Sequence, residues 1–296
     1  MHYKIHLDFI KHRKKFFAFS IAITIIGILV LAFAGLNYGV DFRAGTTMDI
    51  EVGKPIAQAD ADALIAEAGF EGVHPTIGGE GDRLTIRFPE TLTNDDVANI
   101  ESLFKAKYGD QVSREVNTVD PELAREQLRH AIIAVLVASL GIILYVSVRF
   151  EWRFAIAGIV ALLHDAFIVV SVFSIFRLEV NLPFIVAVLT IIGYSINDTI
   201  VIFDRIRENL RFAKLKTDDD LAEIVNASIW QTFTRSINTV VTVLIAAVAL
   251  FIFGSESIRL FSLAIIIGLV AGAYSSIGIA SPIWYVLRKG SIGRAK

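Results

Sequence analysis

Apolar residues fall into six long blocks along the chain, separated by polar stretches. The blocks cover residues 16–34, 131–148, 154–176, 183–203, 236–253 and 258–279. Each is close to the ~20 residues that an α-helix needs to cross about 30 Å of hydrocarbon. The pattern therefore predicts a polytopic α-helical membrane protein with six transmembrane helices.

The one long polar interval, residues 35–130, has the shorter periods of a small α+β domain. Alternation typical of strands covers 46–52, 72–77, 83–88 and 111–119, helical spacing covers 58–68 and 94–108, and a glycine-rich turn covers 78–81. The order βαββαβ is that of the ferredoxin-like split unit. We therefore expect a ferredoxin-like domain between the first and second transmembrane helices.

The overall composition agrees with a membrane protein and excludes several kinds of chemistry. Hydrophobic residues make up 54% of the chain and the mean hydropathy is +0.61, which is too apolar for a single water-soluble domain. The absence of cysteine excludes disulfides and thiolate metal ligands. A formal net charge of -2 offers no basic surplus for nucleic acid.

Basic residues predict the orientation. They cluster before the first block, between the second and third, after the fourth and at the chain end, whereas the short loops on the other side hold only Arg177 and Arg259. The positive-inside rule then puts both termini in the cytoplasm and residues 35–130 outside it. The first block, about 19 residues long, exceeds the apolar core of a signal peptide, so we expect a membrane anchor there although Ala32-Phe33-Ala34 resembles a cleavage site.

The chain thus divides into segments with distinct expected locations. We expect a basic cytoplasmic tail at 1–15, the first span at 16–34, an extracytoplasmic domain at 35–130, and the other five spans within 131–286. A helical cytoplasmic link is expected at 204–235 and a second basic cytoplasmic tail at 287–296.

The extracytoplasmic interval is acidic and lacks a catalytic arrangement. It has 18 acidic and nine basic residues, a local net charge of −9 that would repel an exported anionic polymer. Its histidines, His74 and His130, are far apart in sequence. We therefore interpret the domain as a docking or moving module, not as an enzyme.

Asp198 is the most informative residue inside an apolar block. A carboxylate at membrane depth costs about 2.5–3.5 kcal/mol on insertion scales, so it is expected to face protein or water and to have a function. The fourth block places Asp198 and its neighbour Asn197 on one polar stripe, which we expect to face protein. The stripe consists of Thr190, Tyr194, Asn197, Asp198 and Arg205.

Arg235, at the cytoplasmic start of the fifth block, is a candidate partner for Asp198. Asp198 lies five residues before the cytoplasmic end of its block, about 7 Å in depth, so the two side chains are at reachable heights. An adjacent arginine favours the ionised carboxylate and separation favours the protonated one. We infer an Asp198–Arg235 couple that links proton passage to helix motion; a permanent structural ion pair is the alternative.

His164 and Asp165 lie in the middle of the third block. They are explained either by structural hydrogen bonds between spans or by membership of a proton relay. Zinc binding is disfavoured because adjacent residues point to different helical faces and no other histidine is nearby.

Two further patterns concern helix packing. Small residues recur at every fourth position of the sixth block, which lets helix backbones approach closely: Ala264, Gly268, Gly272, Ser276 and Ala280. On the cytoplasmic side, residues 205–230 are predicted to form two short interfacial helices, the second opened by a capping box of Thr217 and Asp220. We expect this segment to be a rigid link.

Several motifs resemble one family over nearly the whole chain. They are GLNYGVDF at 35–42, FEWR at 150–153, His164-Asp165, IGYSINDTIVIFDRIREN at 192–209 and the last span at 254–276. The chain resembles the SecF family, membrane subunits of the bacterial SecD–SecF protein-export complex within the resistance-nodulation-division superfamily. It departs from the family in having Ala44-Gly45-Thr46 in place of Gly-Gly-Thr and Val119-Asp120-Pro121 in place of Val-Gly-Pro.

The resemblance implies a function and a set of functional residues. It implies an accessory subunit that uses the proton motive force to promote late steps of protein export across the inner membrane, with no enzymatic activity and no cofactor. Its partners would be SecD, YajC, the SecYEG channel with SecA, the translocating unfolded polypeptide and the lipid bilayer. The implied residues are Asp198 and Arg235 for proton movement, with Asn197, His164 and Asp165 as further candidates, and Gly35, Gly39, Asp41, Phe42, Gly45 and Thr46 at the junction of span and domain.

Two other functions stay open at this level. A proton-driven exporter of small molecules or lipids of the same superfamily is one, although the external domain is small for a ligand pocket. An intramembrane aspartyl protease is the other, because Asp165 and Asp198 lie on successive antiparallel spans and could share a proton. Their different expected depths argue against such a dyad.

Overall fold

The structure is a computed structural model that describes residues 7–78, 81–213 and 215–289. In chain order its elements are α1 Arg13–Ala34, β1 Asn37–Tyr38, α2 Val40–Arg43, β2 Gly45–Glu51, α3 Gln58–Glu67, β3 Thr76–Gly78, β4 Arg83–Phe88, α4 Asn94–Tyr108, β5 Ser113–Val119, α5 Pro121–Arg149, α6 Trp152–Ile175, β6 Glu179–Val180, α7 Leu182–Phe212, α8 Asp218–Phe253, α9 Glu256–Ser275, a π-helical turn Ser276–Ala280, and α10 Ser281–Arg288. Within these residues, six helical stretches are long and apolar enough to cross a membrane: α1, α5, α6, α7, α8 and the stretch from α9 to α10. The predicted number of spans is confirmed.

The domain between α1 and α5, called the external domain here after its expected location, has the predicted βαββαβ order. Its antiparallel sheet has the strand order β3-β4-β2-β5, with α3 and α4 following the first and third strands of the unit. One face of the sheet forms an apolar core with these helices, in which Met48, Ile86, Ile100 and Phe104 are completely buried. The strands predicted at 72–77 and 111–119 begin later than expected, and the turn predicted at 78–81 includes positions outside the described residues.

The segment 204–235, which the sequence predicts to be a cytoplasmic link, differs from the prediction in its helix ends. α7 continues to Phe212 and α8 begins at Asp218, so the two short interfacial helices are in fact the ends of transmembrane helices. Ile206, Leu221 and Val225 are fully buried, which places their apolar surface inside the protein rather than against lipid. The predicted capping box, in which the side chains of residues 217 and 220 each accept a backbone N–H of the other, opens α8.

Three helices form the centre of the membrane bundle. Within the most apolar window of each span, 44% of residues are buried in α6 and α7 and 61% in the last span, against 11% in α1, α5 and α8. The small residues of α9 explain its central place: a side chain at Gly268 would overlap Ile191 of α7, and Ala264 is completely buried. The close packing predicted from the four-residue spacing is confirmed.

Candidate functional site

The polar stripe on α7 lies at an open edge of the bundle. Tyr194 is 39% exposed and Asn197 is exposed, whereas Ile191, Ser195 and Thr199 are buried. That the stripe faces protein stays a prediction, but within this chain the stripe is only partly covered. The reason is that α7 turns its apolar and hydroxyl residues toward the small residues of α9, which rotates the larger polar side chains outward.

Asp198 lies between this open edge and the bundle interior. Its half-buried carboxylate lies beside Ser236 of α8 and Ser276 of the π-helical turn. Its buried oxygen Oδ2 and the hydroxyl of Ser236 lack hydrogen-bond partners among the described residues. A buried carboxylate oxygen without a donor is costly as an anion, so this site is poised for a change of protonation or of contacts.

Arg235 is near Asp198 but forms no ion pair with it among the described residues. The guanidinium acts on the carboxylate electrostatically, yet no nitrogen of Arg235 lies within 4 Å of it among the described salt bridges, and Arg235 itself is exposed. The exposed position follows from the helical period, because the preceding and following turns of α8 bury Thr232 and Ser236 instead. The two side chains are thus separated here, and their coupling stays a prediction.

A narrow cavity adjoins Asp198. Its volume of about 20 Å³ is close to that of one water molecule, and it is lined by Tyr194, Asn197, Thr239, Gly268 and Gly272 among others. Polar groups of α7 and α8 therefore meet the backbone of α9 at one small space. This geometry suits passage of a proton and leaves no room for an organic substrate.

Asp165 is completely buried, and it has more hydrogen-bond partners in the protein than Asp198 has. Its Oδ2 accepts hydrogen bonds from the hydroxyls of Ser195 on α7 and Ser275 on α9, both at 2.6 Å. Its Oδ1 lies 3.1 Å from Nδ1 of His164. Asp165 therefore connects the three central helices, as the structural interpretation of His164 and Asp165 expected.

His164 reaches from this cluster toward α1. Its ring lies 6.2 Å from the ring of Tyr274, whose hydroxyl is 3.0 Å from that of Ser20 on α1. The second ring nitrogen, Nε2, is buried and has no hydrogen-bond partner among the described residues. No hydrogen bond among the described residues joins Asp165 to Asp198, so the shared proton of an aspartyl dyad has no geometric support here.

Two consecutive serines on the last span connect the two carboxylates. Ser275 binds Asp165, whereas Ser276 lies beside Asp198 and its hydroxyl is 2.9 Å from that of Thr199. The π-helical turn begins at Ser276, and π turns frequently occur at functional sites. The positions of the two acidic groups are therefore set by neighbouring residues of one helix.

The junction motif binds the external domain to the membrane helices. Asp41 accepts the backbone N–H of Leu182 at 2.8 Å, at the N-terminus of α7, where a negative charge is favourable. Gly39 donates its N–H to Val180 at 2.9 Å and extends the parallel pairing of β1 with β6. The carbonyl of Gly35 accepts the hydroxyl of Ser174 at 2.7 Å. The junction is thus anchored on the α6–α7 connection, and through Asp41 on the helix that carries Asp198.

The remaining junction residues fix the start of the sheet. Phe42 is buried, and the hydroxyl of Thr46 accepts the N–H of Leu92 at 2.9 Å. Gly45 has φ +130, and a side chain there would overlap the carbonyl of Phe88. Ala44, where the family has glycine, has φ 72 and ψ 161, a region that is essentially restricted to glycine and costs about 1–3 kcal/mol for other residues.

Sequence reasoning missed the serines and the ties of the α6–α7 connection. Ser195, Ser275 and Ser276 carry no charge, and small side chains in transmembrane helices are also typical of close helix packing. The ion pair of Arg87 with Glu179, which joins β4 to β6, links residues far apart in the chain. Within the part of the chain that the structure describes, no three His, Cys, Asp or Glu side chains come together as metal ligands would.

Comparison with protein families gives two matches. A family model for the protein export membrane protein SecD/SecF, C-terminal, matches residues 99–290, and a model for the SecD/SecF GG motif matches residues 29–56. The second match includes all the junction residues named above. The first includes both intramembrane carboxylates.

Individual relatives span most of the chain. The chain is 47% identical to the protein translocase subunit SecF of Alicyclobacillus acidocaldarius over 99% of its own length and 96% of that protein. It is 47% identical to the protein translocase subunit SecDF of Bacillus subtilis over 94% of its length, but that match covers 37% of the SecDF protein.

Solved structures resemble the whole fold. The crystal structure of SecDF, a translocon-associated membrane protein from Thermus thermophilus, has a TM-score of 0.84 and 34% identity, covering 96% of this chain and 39% of that one. A SecDF crystal structure in a super-membrane-facing form has a TM-score of 0.68 and 31% identity, again covering 39% of that chain. The present chain thus has the length of a SecF and about two fifths that of a solved SecDF chain.

Proposed function

Because this chain belongs to the SecD/SecF family of protein-export membrane proteins, we propose that it is an accessory subunit of the protein translocase that couples proton passage at Asp198 to protein export. The observation that carries the proposal is the Asp198 site itself. A half-buried carboxylate, one oxygen of which has no partner in the described part of the chain, adjoins a cavity of single-water size, with an arginine close but not in contact. Two states, with the arginine near or far, are what a proton-coupled helix movement requires.

The proton cycle follows from the electrostatics. A proton that reaches Asp198 neutralises it, which removes its attraction for Arg235 and its need for hydroxyl donors at Ser236 and Ser276. Loss of the proton on the other side restores both. The available drive is about 2.3 kcal/mol per charge for each 100 mV of membrane potential. Asn197, beside Asp198 on the open edge of α7, is proposed to help conduct the proton.

Transmission to the external domain would pass along α7. The carboxylate of Asp41 is hydrogen-bonded to the first backbone N–H of α7, and Asp198 lies sixteen residues further along the same helix. A helix is stiff along its axis, so a tilt or shift of α7 displaces the junction motif. The ferredoxin-like domain would then move against the exported polypeptide.

The partners and the orientation belong to the same proposal. The exposed polar edge of α7 with Tyr194 and Asn197 would be covered in the membrane by the helices of a SecD subunit, since polar side chains at that depth avoid lipid. SecYEG with SecA, YajC and the translocating unfolded chain would complete the assembly. The protein would lie in the bacterial inner membrane with both termini in the cytoplasm and the ferredoxin-like domain outside.

Orientation can be tested without a background correction, because the chain contains no cysteine. Single variants Ser102→Cys in α4 and Ala222→Cys in α8 put a thiol on either side of the proposed membrane. In intact spheroplasts a membrane-impermeant maleimide should label only the first, and after lysis both. Labelling of the α8 variant alone in intact cells would reverse the orientation.

Asp198→Asn tests the coupling directly. In vesicles that contain this subunit with its SecD-like partner, SecYEG and SecA, the variant should lose the part of preprotein translocation that depends on an imposed proton gradient. The matched control is Asp204→Asn on the same helix, whose carboxylate pairs with Arg149 and Arg207 and does not line the cavity. Proton-dependent translocation at the wild-type rate in Asp198→Asn would refute the proposal, and equal loss in both variants would remove its specificity.

A further inference from the structure

His164, Asp165, Ser195 and Ser275 form a hydrogen-bonded group, called the Asp165 cluster here. It is connected to the Asp198 site through one pair of residues on each neighbouring helix. On the last span the pair is Ser275 and Ser276, which are consecutive. On α7 it is Ser195 and Asp198, which are three positions apart and so on one helical face. Asp165 itself binds the first member of each pair, at 2.6 Å in both cases.

We propose that Asp165 is a positioning residue for Asp198, an inference that rests on the proposed function. By accepting both serine hydroxyls on one carboxylate oxygen, Asp165 fixes the register of α7 against α9. That register decides how closely Ser276 approaches Asp198 on the next turn. Asp165 thus acts on the proton site through Ser195 and Ser275 without touching it.

The packing around the cluster supports a fixed register. At Gly272, one turn before Ser276, a side chain would contact the Cβ atom of Ser195 at 3.4 Å and Oδ2 of Asp165 at 3.7 Å, so α7 and α9 are in close contact at this level. Ser276 is also held from α7 by Thr199, with hydroxyl oxygens 2.9 Å apart. A small axial shift between the two helices would change both contacts together, the one at Gly272 and the one between Thr199 and Ser276.

The charges near each carboxylate distinguish their tasks. Asp165 faces His164 from its own helix, Ser195 from α7 and Ser275 from α9, and the described salt bridges give it no Lys or Arg partner. Tyr274 and Ser20 lie beyond His164. Asp198 faces Arg235 and Ser236 from α8 and Ser276 from the π-helical turn. Arg235 thus acts at the proton site, whereas the fully hydrogen-bonded carboxylate of Asp165 fixes the helix register.

The test measures the pH profile of proton-driven translocation in the vesicles described above. Ser276→Ala removes a hydroxyl beside Asp198 and should shift the pH midpoint by about one unit, since a hydrogen bond to a charged group is worth about one pH unit or more. Ser195→Ala and Ser275→Ala should shift the pH midpoint in the same direction as Ser276→Ala. In a double variant with Ser276→Ala, the shift should be smaller than the sum of the two single shifts. Asp165→Asn should shift the midpoint too, and Asp165→Glu should restore part of the wild-type midpoint.

Ser262→Ala is the matched control. Ser262 is equally buried on α9, but its hydroxyl binds only the Ile258 carbonyl of its own helix, at 2.7 Å, so its removal should leave the midpoint unchanged. Unshifted midpoints in Ser195→Ala, Ser275→Ala and Asp165→Asn, with normal loss in Asp198→Asn, would overturn the positioning role alone. Retained proton dependence in Asp198→Asn would instead overturn the proposed function.

Discussion

Asp165 and Asp198 are both carboxylates on transmembrane helices of one bundle, yet their surroundings are opposite. Asp165 is completely buried and accepts hydrogen bonds from two other helices, whereas Asp198 is half-buried and keeps a buried oxygen that has no partner among the described residues. A fully satisfied buried polar group makes a structure specific and rigid, while an unsatisfied one is cheap to change. The difference fits the proposed roles, in which Asp165 holds the helix register and Asp198 carries the proton.

The largest expected effect separates the two residues by stability. Asp165→Leu leaves the hydroxyls of Ser195 and Ser275 without their shared acceptor and should lower the free energy of unfolding by about 2 kcal/mol or more. Asp198→Leu breaks no hydrogen bond at Oδ2, which has no partner among the described residues. It should change the free energy of unfolding by less than about 1 kcal/mol in either direction. Thermal unfolding of the purified variants in detergent measures both, and equal destabilisation would break the comparison.

A medium effect is expected at the serines. Ser195→Ala and Ser275→Ala each remove one donor to a buried carboxylate and should each cost about 1 kcal/mol. Ser236→Ala removes a hydroxyl that lies beside Asp198 but makes no hydrogen bond of normal geometry among the described residues, so it should be nearly neutral for stability. The same unfolding assay ranks the three, and a larger loss in Ser236→Ala than in Ser275→Ala would contradict the proposed division.

The smallest effect concerns a satisfied carboxylate in water, Asp96 of the external domain. The hydroxyl and backbone N–H of Thr93 bind it, and these bonds lower its pKa below the ordinary value of 3.8. The unfolded chain then binds this proton more readily, so the contribution to stability is present above about pH 4 and is lost as the pH falls through the folded pKa.

Thr93→Ala should therefore reduce the loss of stability between pH 5 and about pH 3. Thr91→Ala, an exposed threonine two residues earlier, should leave the pH dependence unchanged. Thermal unfolding at several pH values provides the measurement. Because solvent screens an exposed carboxylate, the change in stability in Thr93→Ala should be much smaller than the loss in Asp165→Leu. A comparable change would show that burial does not set the strength of such hydrogen-bond networks.

Sequence reasoning was most accurate where one physical rule dominates a segment. Long apolar blocks predicted six spans, and alternation with turn residues predicted the βαββαβ order of strands and helices in the external domain. Helix ends were less accurate: α7 and α8 continue past the apolar blocks because the residues up to Phe212 and from Asp218 suit a helix and bury side chains such as Ile206 and Leu221. The predicted interfacial helices followed from composition, which does not reveal what covers an apolar side chain.

The site was predicted in part. Asp198, Arg235, His164 and Asp165 stand out because charged groups are expensive inside apolar blocks. Their relation did not follow, because Asp198 and Arg235 form no direct ion pair among the described residues and Asp165 proved to be bound by serines. A hydroxyl in an apolar helix is compatible with packing, with a bond to its own backbone or with a bond to another helix, and nothing in the sequence distinguishes these.

The sequence by itself determined the number of spans, the fold of the external domain, the family and the two acidic positions, since each follows from local periodicity or from a distinctive motif. Only the tertiary structure decided which carboxylate is satisfied, that Arg235 is separated from Asp198, and that Asp41 binds the N-terminus of α7. These facts depend on the rotation and axial register of one helix against another. That register is set by close contacts such as Gly268 against Ile191, which join residues more than seventy positions apart.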